Sequence, residues 1–387
     1  MKSKKINLSF TMIACIFTAL LTCFLTLWIM NQKLNKYTRL REVDNYIKNN
    51  YYLDLDQETE QALMDTMLKG YVAGLGDKYS QYLTAEEYQN FMTKESGKTV
   101  GIGVTVIQNE DGYPKIVEVQ ENSPAEQAGL QVNDIVIAVA GEDILEYGYL
   151  ESIANIKGEE NTSITITIQR DNKKLDYEIM RKTFDVVTVK GQMLENQIGY
   201  IKIDSFRENT VEQFLNILEN LQENDAKGLI FDVRDNGGGL LDSLEKMLDP
   251  LLPEGVIATA TYHGGVTENV VVSDANEINL PMVVLVNGNS ASAAELFSAS
   301  LRDFKQAELV GTQTFGKGIM QVTTRMQDGA GLSLTVATYQ TSVSECYQGI
   351  GLEPDIIIEP AENFTLTSNP DPATDLQLAE AMALFEN

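Results

Sequence analysis

The chain has 387 residues, enough for two or three domains with a sizeable core. Its 29 Lys plus Arg stand against 56 Asp plus Glu, a formal net charge of −27. That balance excludes a nucleic-acid binder, which must meet phosphate with basic surface. Three Cys and one His supply neither a disulfide framework nor a zinc site.

Leu8 to Met30 carries no charged residue and is long enough to span a bilayer as a helix. Lys2, Lys4 and Lys5 precede it, Lys33 and Lys36 follow, and no small-x-small cleavage site ends the run. The expectation for residues 1–32 is an uncleaved single-pass membrane anchor with a cytoplasmic N-terminus and an extracytoplasmic body. Residues 33–96 are rich in helix formers. Ala62, Leu63, Met67 and Leu68 fall at helical spacing, and Thr84-Ala85-Glu86-Glu87 is a capping-box start.

Residues 97–184 change character. Val100 to Val106 is a glycine-opened strand, Lys115 to Val119 another, and Ser163 to Gln169 alternates strictly. Ser123 to Leu130 reads as a short capped helix ended by Gly129. The order Gly101-Ile102-Gly103-Val104, then Ser123-Pro124-Ala125-Glu126-Gln127-Ala128-Gly129-Leu130, resembles a PDZ domain. The resemblance implies that the amides of Ile102, Gly103 and Val104 hold a peptide C-terminal carboxylate while the peptide adds as a strand.

Residues 185–387 alternate strands and helices, the pattern of an α/β layered domain. Gly228 to Val233 is a buried strand, followed by Arg234-Asp235-Asn236-Gly237-Gly238-Gly239 and a helix from about Leu240. Val283 to Val286 is a second apolar strand, followed by Asn287-Gly288-Asn289-Ser290-Ala291-Ser292-Ala293-Ala294-Glu295. A strand, a small-residue turn and a helix N-terminus make a place to hold a nucleophile, here Ser292. Ser292 with Glu295 also fits the Ser-x-x-Glu spacing of a capping box, and Ser290 can cap as well.

The lone His263 sits at a strand end and turn, so a serine nucleophile here needs a base other than histidine. Gly311 to Gly318 nearly matches a phosphate loop. It has Gly318 where a magnesium-ligating hydroxyl belongs, and the following segment reads as extended rather than helical. Lys317 in Gly316-Lys317-Gly318 can instead take a serine proton if burial lowers its affinity for one, with Gln321 placed to aim it. The Gly237-Gly238-Gly239 turn and the amide of Ala293 offer oxyanion donors.

Together these motifs resemble the C-terminal processing (tail-specific) peptidases of serine peptidase family S41. The likeness runs from about Asn45 to Phe385 and adds Gly74-Leu75-Gly76-Asp77-Lys78-Tyr79-Ser80-Gln81-Tyr82-Leu83 and Gly349-Ile350-Gly351-Leu352-Glu353-Pro354-Asp355. It implies a multidomain α+β protein with a membrane anchor and helical region, a mostly β PDZ domain, and an α/β layered, crotonase- or ClpP-like protease core over 185–387. It implies Ser292 as nucleophile, Lys317 as base, Gln321 as its orienting partner, and Gly238 and Ala293 as oxyanion donors, with no metal or organic cofactor. It also implies protein or peptide substrates recognised by their C-termini at the PDZ domain, and a homodimer formed through the helical region and C-terminal tail. Lys78 stands where the family usually has proline, as does Gly237; Lys157 replaces a common arginine, and Thr341 to Cys346 lacks the usual Pro and Gly. The competing reading is a catalytically inactive PDZ-containing peptide-binding scaffold.

Overall fold

The computed structural model describes residues 8–35, 37–274, 276–362, 364–366 and 370–386. The chain divides into two compact units, Met1–Tyr71 and Val72–Asn387.

The first unit is helical, with helices Leu8–Asn35, Thr38–Asn50 and most of Gln57–Ala73. Thr38–Asn50 buries none of its residues. Among the described residues no helix is long and apolar enough to cross a membrane. The single-pass anchor expected over Leu8–Met30 is therefore not supported. The flanking Lys2, Lys4, Lys5 and Lys36 lie outside the described residues.

The second unit contains a β module and an α/β core. Strands Lys98–Gly101 and Lys182–Asp185, the chain's entry to and exit from the module, pair antiparallel. Asn209 fastens the base of this ribbon, its Nδ2 donating to the carbonyls of Gly97 and Val186, each at 2.9 Å. Within the module the strands Val104–Gln108, Pro114–Val119, Ile135–Val139, Ser163–Arg170 and Lys173–Met180 follow one another in the sheet, with Val104–Gln108 at the edge. The alternation of Ser163–Arg170 is real: Ile164, Ile166 and Ile168 all point into the core. Helix Pro124–Ala128 starts on Ser123, whose Oγ accepts the Glu126 N–H at 3.2 Å, and stops at the left-handed Gly129.

The core's central sheet has the order Val189–Met193, Ile198–Ile203, Gly228–Asp232, Met282–Val286, Glu308–Gly311, Ile356–Ile357. Only the first pairing is antiparallel. Every residue of Ile198–Ile203, Gly228–Asp232 and Met282–Val286 is buried. This is why these strands read as continuous apolar runs: parallel strands are covered on both faces. A second, antiparallel sheet joins Gln81–Leu83, Gly331–Thr341, Gly255–Tyr262 and Thr267–Ser273, with Ile319–Arg325 also paired to Gly331–Thr341. Gln81–Leu83 thus stitches the segment around Asp77–Ser80 into the core, although the composition of 33–96 suggests only a helical packing unit.

Helix Ala293–Lys305 lies at the centre, buried at every position from Ala293 to Leu301. Phe297 on it packs edge-on against Phe231 (centroids 5.3 Å apart) and beside Phe206 (5.7 Å). All three rings are fully buried.

Candidate active site

In open parallel sheets, functional groups collect beyond the carboxyl ends of the strands. Three loops leave those ends here, after Asp232, after Val286 and after Gly311, and they carry the glycine turn, Ser292 and Lys317.

The loop after Val286 is held by Ser290, not Ser292. Ser290 Oγ is buried, donates to the Val233 carbonyl at 2.8 Å and accepts the Asn287 N–H at 2.9 Å. Ser292 is left at the N-cap of the helix with φ 58° and ψ −118°, a backbone conformation that a residue with a Cβ holds only when its surroundings enforce it. Its hydroxyl makes no capping bond. Instead Ser292 Oγ lies 3.4 Å from the phenol oxygen of Tyr339. The Ser-x-x-Glu spacing is used in the other direction, with the Ser292 N–H donating to Glu295 Oε2 at 2.9 Å.

The glycine turn lies directly against this elbow. A Cβ on Gly238, where φ is +100°, would meet the Ala291 carbonyl and Ser292 Cβ at 2.8 Å and the Ala293 nitrogen at 2.9 Å. Only glycine fits there. The Ala293 N–H has no acceptor among the described residues. The Gly238 N–H, by contrast, donates to Asn236 Oδ1 at 2.8 Å, and Asn236 is itself fixed by donating to the Ile203 carbonyl at 2.9 Å. Of the two expected oxyanion donors, one is free and one is engaged.

Lys317 is partly buried on the third loop. Its amine lies 4.6 Å from the centre of the Tyr79 ring, with Lys78 Nζ 4.8 Å from the same centre. Burial pushes the amine below the usual lysine range; Asp77 and Glu295 oppose this and Lys78 assists. Tyr339 reaches both partners, since its hydroxyl also donates to the Lys317 carbonyl at 2.9 Å. No hydrogen bond joins Ser292 Oγ to Lys317 Nζ among the described residues. Nor does Gln321 touch the amine: its Nε2 donates to Thr335 Oγ1 at 3.0 Å. From there a chain of bonds runs back toward Lys317, with the Thr335 N–H on Ser80 Oγ at 3.0 Å and Ser80 Oγ on Asp77 Oδ2 at 2.6 Å. These bonds, with one from the Tyr79 N–H, hold the Asp77 carboxyl below its usual range.

Sequence reasoning missed Tyr79, Tyr339 and Asp77, and it took Glu295 only for a cap. Glu295 is 0% exposed, and an acid placed among Ala, Leu and Phe in an apolar helix is the one signal that marks it.

In the β module the N–H groups of Ile102 and Gly103 donate no hydrogen bond among the described residues. Their carbonyls accept from Ala125 at 2.7 Å and Gln120 at 2.9 Å, which holds the loop with its donors unspent. Val104 opens the edge strand, whose outer side no strand among the described residues covers.

The peptidase family S41 model matches residues 197–358 and a PDZ domain model matches residues 115–170. The carboxy-terminal processing protease CtpA of Bacillus subtilis (strain 168) is 33% identical over 357 residues, covering 90% of this chain and 76% of that protein. A CtpA-like serine protease of Staphylococcus aureus (strain COL) is 31% identical over 370 residues, covering 92% of this chain and 73% of that protein. The photosystem II D1 C-terminal processing protease shares the fold, with a TM-score of 0.50 at 22% identity over 84% of this chain and 88% of its own. With this identity running through both the β module and the core, the chain belongs to the S41 serine peptidases of carboxy-terminal processing type.

Proposed function

We propose that the protein is an endopeptidase that cuts protein substrates through a Ser292/Lys317 pair, with substrate C-termini taken up at the PDZ module. The observation that carries this reading is the convergence at Tyr339. One phenol oxygen lies 3.4 Å from the hydroxyl of a backbone-strained serine and bonds the carbonyl of the half-buried lysine at 2.9 Å.

Neutral Lys317 Nζ takes the Ser292 proton as Oγ attacks the scissile carbonyl carbon. Closing the remaining distance requires the amine to swing from the Tyr79 ring toward Ser292, an adjustment expected between a free and a substrate-bound site. The Ala293 N–H receives the oxyanion, and the Gly238 N–H joins it by sharing its proton between Asn236 Oδ1 and the oxyanion. The Lys317 ammonium protonates the leaving amine. Water then attacks the acyl-enzyme and gives a proton to Lys317, which returns it to Ser292 Oγ. Gln321 acts on Lys317 through Thr335, Ser80 and Asp77 rather than by direct contact. At the PDZ module the free amides of Ile102 and Gly103 take the tail's carboxylate, and the tail extends along Val104–Gln108 as an added strand. The apolar surroundings of Ile102, Val104 and Ile153 favour an apolar last side chain.

The test is cleavage of an unstructured protein ending in apolar residues. Ser292→Ala and Lys317→Ala each abolish cutting while binding of a fluorescent tail peptide is retained. Binding without cutting by the unaltered protein would favour the inactive-scaffold reading.

A further inference from the structure

Glu295 has no role in the steps above, yet its carboxylate occupies the centre of the site. It is 0% exposed and receives four donors. Oε1 accepts from Thr314 Oγ1 at 2.6 Å and the Gly316 N–H at 2.7 Å. Oε2 accepts from the Ser292 N–H at 2.9 Å and the Lys317 N–H at 2.8 Å. One oxygen therefore binds the backbone of both residues of the pair, although they come from different loops. Burying a carboxylate is expensive unless it is fully bonded, and these four short charge-assisted bonds meet that condition.

We infer that Glu295 is the positioning residue that fixes the serine elbow and the lysine loop in one register, so that Lys317 reaches Ser292 when substrate binds. The inference rests on the Ser292/Lys317 reading. A cap alone would need only the Ser292 N–H. The other three bonds all reach into Thr314 to Lys317, so the carboxylate is a bridge between two loops.

Glutamine at this position keeps the shape but sets an NH₂ group against N–H and O–H donors, so at least one pair becomes donor against donor. The register loosens, and a misplacement near 1 Å at a reacting pair lowers turnover about 10²-fold. Removing the charge has a second consequence. The groups facing Lys317 are Asp77, Lys78 and Tyr79 from the segment before Gln81–Leu83, Tyr339 from its strand, and Glu295. Glu295 is one of the two anions that favour the ammonium. Without it the amine loses its proton more readily, and the acidic limb of the activity profile moves to lower pH.

The experiment compares Glu295→Gln and Thr314→Val with the unaltered enzyme and with Ser292→Ala in full-length protein, using kcat, KM, thermal unfolding, tail-peptide binding and a pH profile. Expected for Glu295→Gln are a kcat about 10²-fold lower, little change in KM, unchanged tail binding, and an acidic limb at lower pH. Thr314→Val, which removes one of the four donors but keeps the charge, lowers kcat several-fold with the limb in place. A folded Glu295→Gln enzyme with full kcat overturns the inference, as does a loss that only tracks unfolding with the limb unmoved. If that variant does not fold, Thr314→Val decides, and full kcat there overturns it. Failure of the underlying pair is separately visible, because Ser292→Ala would then still cut.

Discussion

The amine of Lys317 lies 4.6 Å from the centre of the Tyr79 ring, and among the described residues no carboxylate lies within ion-pair distance of it. A lysine that serves as a base must spend its time uncharged, and an ion pair would hold the proton on it. The ring supplies a resting place whose pull on the ammonium is weaker than that of a paired carboxylate. Glu295 and Asp77 are nearby, but their oxygens are committed to other donors.

The pH profile should follow from this placement. In the proposed mechanism Lys317 acts only when deprotonated, so kcat/KM rises as pH climbs through its pKa. Burial depresses that pKa, so the rise comes below the usual lysine range. Lys78 is the like charge that helps. Replacing it by Met should move the acidic limb to higher pH, and Lys78→Glu should move it further. Both displacements should shrink at high salt, because Lys78 is exposed. A limb that stays put in both variants would show that Lys78 does not act on the base.

Gly238→Ala tests the oxyanion side. The added methyl would meet Ser292 Cβ and the Ala293 nitrogen inside 3 Å, at a φ of +100°. The expected loss is about 10²–10³ in kcat, the effect of losing an oxyanion donor, with tail-peptide affinity at the PDZ module unchanged. Stopped-flow acylation with an activated ester would read the loss at the first chemical step.

Tyr339→Phe leaves the Lys317 carbonyl without its buried donor. The stability loss should be about 1–3 kcal/mol by denaturant titration, with kcat falling more than KM rises. A variant as active as the unaltered enzyme would make Tyr339 a packing residue only.

Stability has a second anchor away from the chemistry. Arg234, just before the glycine turn, is buried between Asp232 at 2.6 Å and Asp375 at 2.7 Å. Asp375 caps the C-terminal helix Leu376–Ala383 by accepting the Leu378 N–H at 3.1 Å. Removing one partner of such a pair strands the other charges, so Asp375→Ala should cost about 3–5 kcal/mol. Burial pushes the Asp232 carboxyl up, but Lys202 and Arg234 outweigh it and hold it below the usual range. A depressed carboxyl contributes stability above its unfolded pKa and loses it as pH falls through the folded value. Unfolding midpoints should therefore drop on acidification below about pH 4.

The central sheet was legible because its parallel buried strands are written mostly in apolar residues, and because Gly237–Gly239 and Asn287–Ser292 punctuate them. The extended character of Ile319–Arg325, which set aside a phosphate loop, was legible in its β-branched residues. The Tyr79 ring and the Tyr339 hydroxyl were not legible. Tyr79 reaches Lys317 from the turn before Gln81–Leu83, a three-residue strand with no periodicity to read, and Tyr339 reaches it from the strand Gly331–Thr341. Glu295 was half legible: its spacing to Ser292 is local, while its bonds to Thr314, Gly316 and Lys317 depend on the folded loop. The link between Gln321 and Lys317 is likewise longer than a spacing of four residues suggests, because a strand residue points its side chain across to Thr335. The apolar run near the N-terminus is plain in the sequence, but hydropathy alone does not establish a membrane span.

The most direct test is labelling with a serine-directed fluorophosphonate probe, mapped by mass spectrometry across a pH series. The account predicts a single adduct on Ser292, lost in Ser292→Ala, and slowed in Lys317→Ala to a rate that no longer depends on the lysine's titration. An adduct on Ser290 or elsewhere, or undiminished proteolysis by Ser292→Ala, would contradict it.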